Sequence, residues 1–119
     1  MLAIIGGSGL CNIEGLEIIR REIVRTPYGQ PSEPLIFGNL GGKEVIFLAR
    51  HGANHTLAPH HINYRANIWA LQSVGVKSII SIASVGSIEK SIRVGDFVIH
   101  HQIIDYTYGR NNTYYDGID

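Results

Sequence analysis

Apolar and polar positions fall in blocks along this chain, and the blocks predict its elements. Leu2 to Ile5 is a continuous apolar run ended by Gly6-Gly7, the pattern of a strand buried on both faces. Ile18 to Tyr28 instead mixes Ile and Val with Arg and Glu and closes on Thr26-Pro27-Tyr28-Gly29, which reads as an edge strand or extended arm. Leu35-Ile36-Phe37 and Val45-Ile46-Phe47-Leu48-Ala49 flank Asn39-Leu40-Gly41-Gly42-Lys43, a turn composition that predicts an antiparallel hairpin. After Pro59, the residues Ile62, Ala66, Trp69, Ala70 and Ser73 recur at helical spacing, and Gly75 stands where a C-terminal stop belongs. Lys77 to Ala83 reads as a buried strand, and Asp96-Phe97-Val98-Ile99-His100, after the Val94-Gly95 turn, as another. From Asp105 onward the chain is polar and Tyr-rich.

Strands, one helix and more strands predict an α/β fold with a mixed central sheet flanked by helices. A single helix leaves the second sheet face without cover, so the chain is expected to be part of a larger fold or to complete its core with another chain. A hydrophobic fraction of 45% in 119 residues is enough for one core of ordinary domain size. Ten Lys+Arg balance ten Asp+Glu, so no global field steers nucleic acid or an acidic membrane, and neither is an expected partner. Cys11 stands alone, which excludes an internal disulfide and makes the reducing cytoplasm the expected compartment. No basic leader and no run near the roughly 18 apolar residues of a spanning helix is present, so neither a signal peptide nor a membrane anchor is expected.

The chemistry concentrates in three glycine-containing loops that follow apolar runs: Gly6-Gly7-Ser8-Gly9, Arg50-His51-Gly52 and Ala83-Ser84-Val85-Gly86. If the runs are neighbouring strands, the loops share one sheet edge and gather backbone N–H groups, Ser8, Ser84, Arg50 and His51 around a phosphate-like anion. The first loop has neither the spacing of a triphosphatase phosphate loop nor that of a dinucleotide fingerprint. The plainer alternatives are turn punctuation for the glycines, a surface Arg50 and a packed His51. Histidines 51, 55, 60, 61, 100 and 101 could suggest a metal site, but no paired Cys and no His-Glu-x-x-His accompanies them, so neither a metal nor a resident cofactor is expected. Tyr106, Tyr108, Tyr114 and Tyr115 could stack on a base or pack at a subunit interface.

Five stretches together carry a resemblance: Ile4-Ile5-Gly6-Gly7-Ser8-Gly9-Leu10, Thr26-Pro27-Tyr28-Gly29, Leu48-Ala49-Arg50-His51-Gly52, Asn63 to Leu71, and His101-Gln102-Ile103-Ile104-Asp105-Tyr106-Thr107. Over nearly its whole length the chain resembles the N-terminal half of the methylthioadenosine phosphorylase family of purine nucleoside phosphorylases, most closely its bacterial 5′-methylthioinosine branch. The resemblance implies that 1–119 is the N-terminal part of a single nucleoside phosphorylase domain. It implies phosphorolysis, in which inorganic phosphate as co-substrate attacks the anomeric carbon of a purine nucleoside and releases purine and a sugar 1-phosphate. Ser8, Arg50 and His51 would hold phosphate, with the Ala83-Ser84 turn adding contacts. Relatives often carry Thr at the position of Ala83, so only backbone donation carries over there. The purine site and part of the phosphate site are expected in a C-terminal half, and the assembly is expected to be a trimer. The stretch Ile104-Asp105-Tyr106-Thr107 with Gly109, Arg110, Thr113 and Tyr114 is similar to relatives acting on 6-oxopurine methylthionucleosides. A non-catalytic phosphate-binding module and, last, a histidine-based metal hydrolase remain the other readings.

Overall fold

The computed structural model describes residues 1–115 and Gly117. Its frame is a five-stranded sheet built from β1 (Leu2–Gly6), β2 (Leu16–Glu22), β3 (Leu35–Leu40), β4 (Lys43–Ala49) and β5 (Ser78–Ser81), in the order β2-β3-β4-β1-β5. β2, β3 and β4 pair antiparallel, whereas β1 runs parallel to both β4 and β5. The sheet is therefore mixed, as the pattern predicts. Helix α1 (Tyr64–Ser73) joins β4 to β5 across β1, a crossover that leaves the C-terminal ends of β4, β1 and β5 side by side.

Local chemistry explains the connections. Leu40 pairs with Lys43 across Gly41-Gly42, whose φ values of +56° and +79° match the twist of a two-residue hairpin turn. Asn39 Oδ1 accepts from Gly42 N at 2.8 Å and closes that turn. The α1 N-terminus is capped by Asn63, whose Oδ1 accepts from Ala66 N at 3.1 Å. At its other end Gly75, at φ +87°, donates to Gln72 O at 3.0 Å while Val76 N donates to Leu71 O at 3.1 Å. That pair of bonds satisfies the last helical carbonyls in a Schellman motif.

On one sheet face Ala3, Ile5, Leu35, Phe37, Ile46 and Leu48 pack against Ala70 and Leu71 of α1. The buried helix face is Ala66, Asn67, Ala70 and Leu71, while Trp69 is half-buried and Ser73 exposed. On the other face Ile4, Ile36, Phe47 and Ala49 are covered by Leu10, Ile13, Leu16 and Leu40, so the loop after β1 does part of the work expected of a second helix layer.

Two expectations are corrected. β5 forms where predicted but is exposed along its whole length, with Ile79 at 40% and Ile80 at 52% accessibility, and among the described residues it pairs with β1 on one side only. The segment Asp96 to His100 is not a strand: it makes no ladder, and Phe97 and Ile99 are almost fully exposed. An apolar run becomes a strand only when a neighbouring backbone takes its N–H and C=O groups, and β5 is not extended outward by this segment. Ile18 to Tyr28 splits into the edge strand β2, with a register shift between Ile18 and Arg20, and a Thr26–Gly29 turn bridge.

Candidate functional site

The ends of β1, β4 and β5 are stitched together beyond the ladder itself. Arg50 N donates to Gly6 O at 2.9 Å and Ile82 N to Ile5 O at 2.9 Å, which brings the three loops to one edge. Ser84 Oγ donates to Ser8 O at 3.1 Å and closes the third loop onto the first. Between them lies Gly7, where a Cβ would run into the Arg50 guanidinium and within 2.6 Å of Ile82 O. Only glycine lets that guanidinium lie against the backbone.

Arg50 Nη1 donates to Ile82 O at 3.3 Å and lies 3.4 Å from Ser81 Oγ. The ion pairs among the described residues are Arg20 with Glu22 and Arg93 with Asp96, so no carboxylate neutralises Arg50 there. His51 is buried at 8% accessibility, and its Nδ1 donates to Leu57 O at 2.9 Å. Its ring stacks on His55 with centroids 4.7 Å apart and a 45° tilt, and His55 Nδ1 lies 4.0 Å from Cys11 Sγ.

These groups open on a cavity of about 590 Å³. All five predicted residues line it: Ser8, Arg50, His51, Ala83 and Ser84. Sequence reasoning missed its helical wall, formed by Tyr64, Asn67 and Ile68 with Pro59 before them. The spacing i, i+3, i+4 of those three residues marks one helix face, a signal the sequence does contain. Asn67 is itself pinned, its Oδ1 accepting from Ser32 N at 2.8 Å and its Nδ2 donating to Ser32 Oγ at 2.9 Å. Ile5, Ile68 and Ile79 give the same cavity an apolar side.

The remaining candidates lie elsewhere. Tyr114 packs edge-on against Tyr28 at 5.0 Å and donates its hydroxyl to Arg65 O at 2.7 Å, while Tyr106, Tyr108 and Tyr115 are exposed. Burial, then the neighbouring Tyr28, pushes the Tyr114 hydroxyl above the usual phenol range. Donation from the Thr107 hydroxyl and backbone N–H holds the Asp105 carboxyl below the usual carboxylate range. Neither Asp105 nor Tyr114 reaches the cavity. Among the described residues no three His, Cys, Asp or Glu side chains gather in a way that could hold a metal ion, and no helix is long and apolar enough to cross a membrane.

Residues 1–118 match the family model of the phosphorylase superfamily. The chain belongs to that superfamily. It is 48% identical over 113 residues to a probable S-methyl-5′-thioinosine phosphorylase of Pseudomonas syringae pv. tomato, a match covering 95% of this chain and 46% of the relative. It is 51% identical over 116 residues to a 6-oxopurine nucleoside phosphorylase of Pyrococcus furiosus, covering 98% and 43%. Among solved structures it superposes on methylthioadenosine phosphorylase from Schistosoma mansoni in complex with tubercidin with a TM-score of 0.91 and 39% identity, covering 98% of this chain and 41% of that one. This superfamily member thus spans less than half the length of the relatives it matches.

Proposed function

We propose that this chain carries the phosphate-holding edge of a purine nucleoside phosphorylase. The convergence of three strand-end loops on one cavity, lined by an Arg50 that no carboxylate among the described residues neutralises, supports this reading best. A phosphate seated there would take charge-assisted N–H donors from Arg50, the Ser8 hydroxyl, backbone donors of the Ala83-Ser84 turn and a contact with His51. Its oxygen attacks the anomeric carbon, and the electron pair of the broken C–N bond leaves with the purine. The charge of the oxocarbenium-like transition state is stabilised by the anion beneath the sugar, which also serves as nucleophile. This accounts for a site that is rich in donors and, among the described residues, without a carboxylate base. No cofactor is needed beyond inorganic phosphate.

The substrate reading is 5′-methylthioinosine in preference to 5′-methylthioadenosine, favoured by the similarity of the stretch from Ile104 to Tyr114 to relatives acting on 6-oxopurines. The purine-binding residues, a trimeric assembly and a cytoplasmic setting belong to the same proposal, resting on family resemblance. The test is release of free purine from each nucleoside by the intact polypeptide that carries residues 1–119. Release of hypoxanthine that stops when phosphate is omitted, with a higher kcat/KM for the inosine than for the adenosine compound, is the expected result. A clear adenosine preference would overturn the substrate assignment, and phosphate-independent release would overturn the reaction.

A further inference from the structure

A second cavity, of about 250 Å³, shares Tyr64 alone with the first and takes no residue from the three strand-end loops. Arg65 and Arg110 line it with Tyr28, Tyr64, His60 and His61, and no carboxylate among the described residues does. Both guanidinium groups are seated on aromatic rings: Arg65 Cζ lies 5.0 Å from the Tyr28 centroid, and Arg110 Cζ 5.2 Å from that of Tyr64. Their hydrogen bonds go to neutral oxygens. Arg65 Nη1 donates to Thr113 O at 3.2 Å, and Arg110 Nη1 donates to the Tyr64 hydroxyl at 3.3 Å, which itself donates to Pro59 O at 3.2 Å. Arg65 Nε is sealed from solvent and meets no acceptor among the described residues.

A guanidinium stays charged at every working pH, so the cavity carries two positive charges whatever the state of the histidines. The ion pairs among the described residues involve neither arginine. The Asp105 carboxyl, held low first by donation from Thr107 and least by Arg110, forms no ion pair with that guanidinium. Stacking and neutral hydrogen bonds thus fix both side chains in place without offsetting their charge.

We propose that this cavity is a second anion site, separate from the strand-end one, and that it takes a phosphate group. One nitrogen of each fork is already spent on a neutral oxygen, so neither arginine offers its whole fork to a planar carboxylate. Two separate side chains offer their remaining donors, which suits a tetrahedral group with three acceptor oxygens and a charge of about −1.5 to −2. The volume is below the roughly 300 to 1,000 Å³ of sites that enclose a whole drug-sized ligand, so the cavity fits the phosphate with at most a small carrier. The proposal does not depend on the reaction assigned above.

Equilibrium dialysis of the intact polypeptide that carries residues 1–119, against radiolabelled inorganic phosphate, counts the sites. One bound phosphate per chain is expected to survive in Arg50→Ala. That phosphate should bind roughly tenfold or more weakly once Arg65→Gln or Arg110→Gln is added, the scale of one charge-assisted hydrogen bond. Arg65 also packs on Tyr28, so Arg110→Gln, with its circular dichroism compared with the parent, carries the test where Arg65→Gln does not fold. Ribose 5-phosphate and acetate are then added as competitors in the Arg50→Ala background. Displacement by ribose 5-phosphate supports a phosphate ester as occupant, and retention against it supports free phosphate. Equal displacement by acetate overturns the choice of phosphate. One site in the parent and none in Arg50→Ala overturns the inference and leaves the strand-end site standing, and unchanged binding in both glutamine variants overturns it as well.

Discussion

Arg50 lies where it does because Gly7 has no side chain. An added methyl would overlap the guanidinium and press on Ile82 O, and neither can retreat easily, since Ile82 N is tied to Ile5 and Arg50 N to Gly6. Gly7→Ala is therefore expected to act on binding as a charge deletion does while leaving the charge in place. Arg50→Ala should weaken phosphate binding by about 2 kcal/mol or more, the scale of a lost charge-assisted bond. Gly7→Ala should lose a similar amount and also destabilise the fold by about 1 to 3 kcal/mol, the range for overpacking. Titration with phosphate alongside a denaturant midpoint checks both halves. Wild-type phosphate affinity in Gly7→Ala would mean that the Arg50 position is not what holds the anion. Arg50, His51 and Ser8 were legible because charge and hydroxyl at the end of an apolar run are local signals. For Tyr64, Asn67 and Ile68 the sequence shows a shared helix face but not what that face meets, because it is the crossover of α1 over β1 that makes them cavity residues.

The helix itself was legible from both ends. Gly75 reads as a stop and supplies the left-handed residue of the Schellman motif. The start holds more than a cap: Asn63 Oδ1 accepts from Ala66 N while Nδ2 donates to Tyr28 O at 2.6 Å, so one side chain caps α1 and anchors the turn before β3. Asn63→Ala should accordingly cost about 2 kcal/mol, the upper end of the range for a lost N-cap. Asn63→Asp keeps the cap and loses the donor to Tyr28 O, so it should recover part of that loss. Thermal or urea unfolding of the two variants measures the difference, and equal losses would show that the cap contributes nothing. Strands were less legible than the helix, for a physical reason. The apolar runs at Lys77–Ala83 and Asp96–His100 look alike locally, yet one pairs with β1 and the other finds no partner among the described residues. A helix closes its hydrogen bonds within its own sequence, whereas a strand needs a neighbour whose position the run does not encode.

At the scale of the molecule the two ends of the sheet differ. Around β3, β4 and β1 both faces are covered, by α1 on one side and by Leu10, Ile13 and Leu16 on the other. Beyond β1 the cover stops: Ile79 and Ile80 on β5 are exposed, and Val94, Phe97 and Ile99 stand almost wholly in solvent. Burying a side chain of that size is worth about 1.5 to 3 kcal/mol, so this set alone is comparable with the whole stability of a small domain. Surface of this kind is covered in a working protein, and the solved relative extends well beyond the matched stretch. A polypeptide of residues 1–119 alone is therefore expected to self-associate and to show no phosphorolysis. Replacing Val94, Phe97 and Ile99 together by Ser should reduce the association without disturbing the β1–β4 core, since none of the three contributes to it. Sedimentation velocity over a range of protein concentrations, with the triple variant beside the parent, reads this directly. A parent chain that stays monomeric at tens of micromolar and turns over nucleoside without a partner would show that the exposed apolar edge needs no cover and that the cavity at the three strand ends is already a complete site.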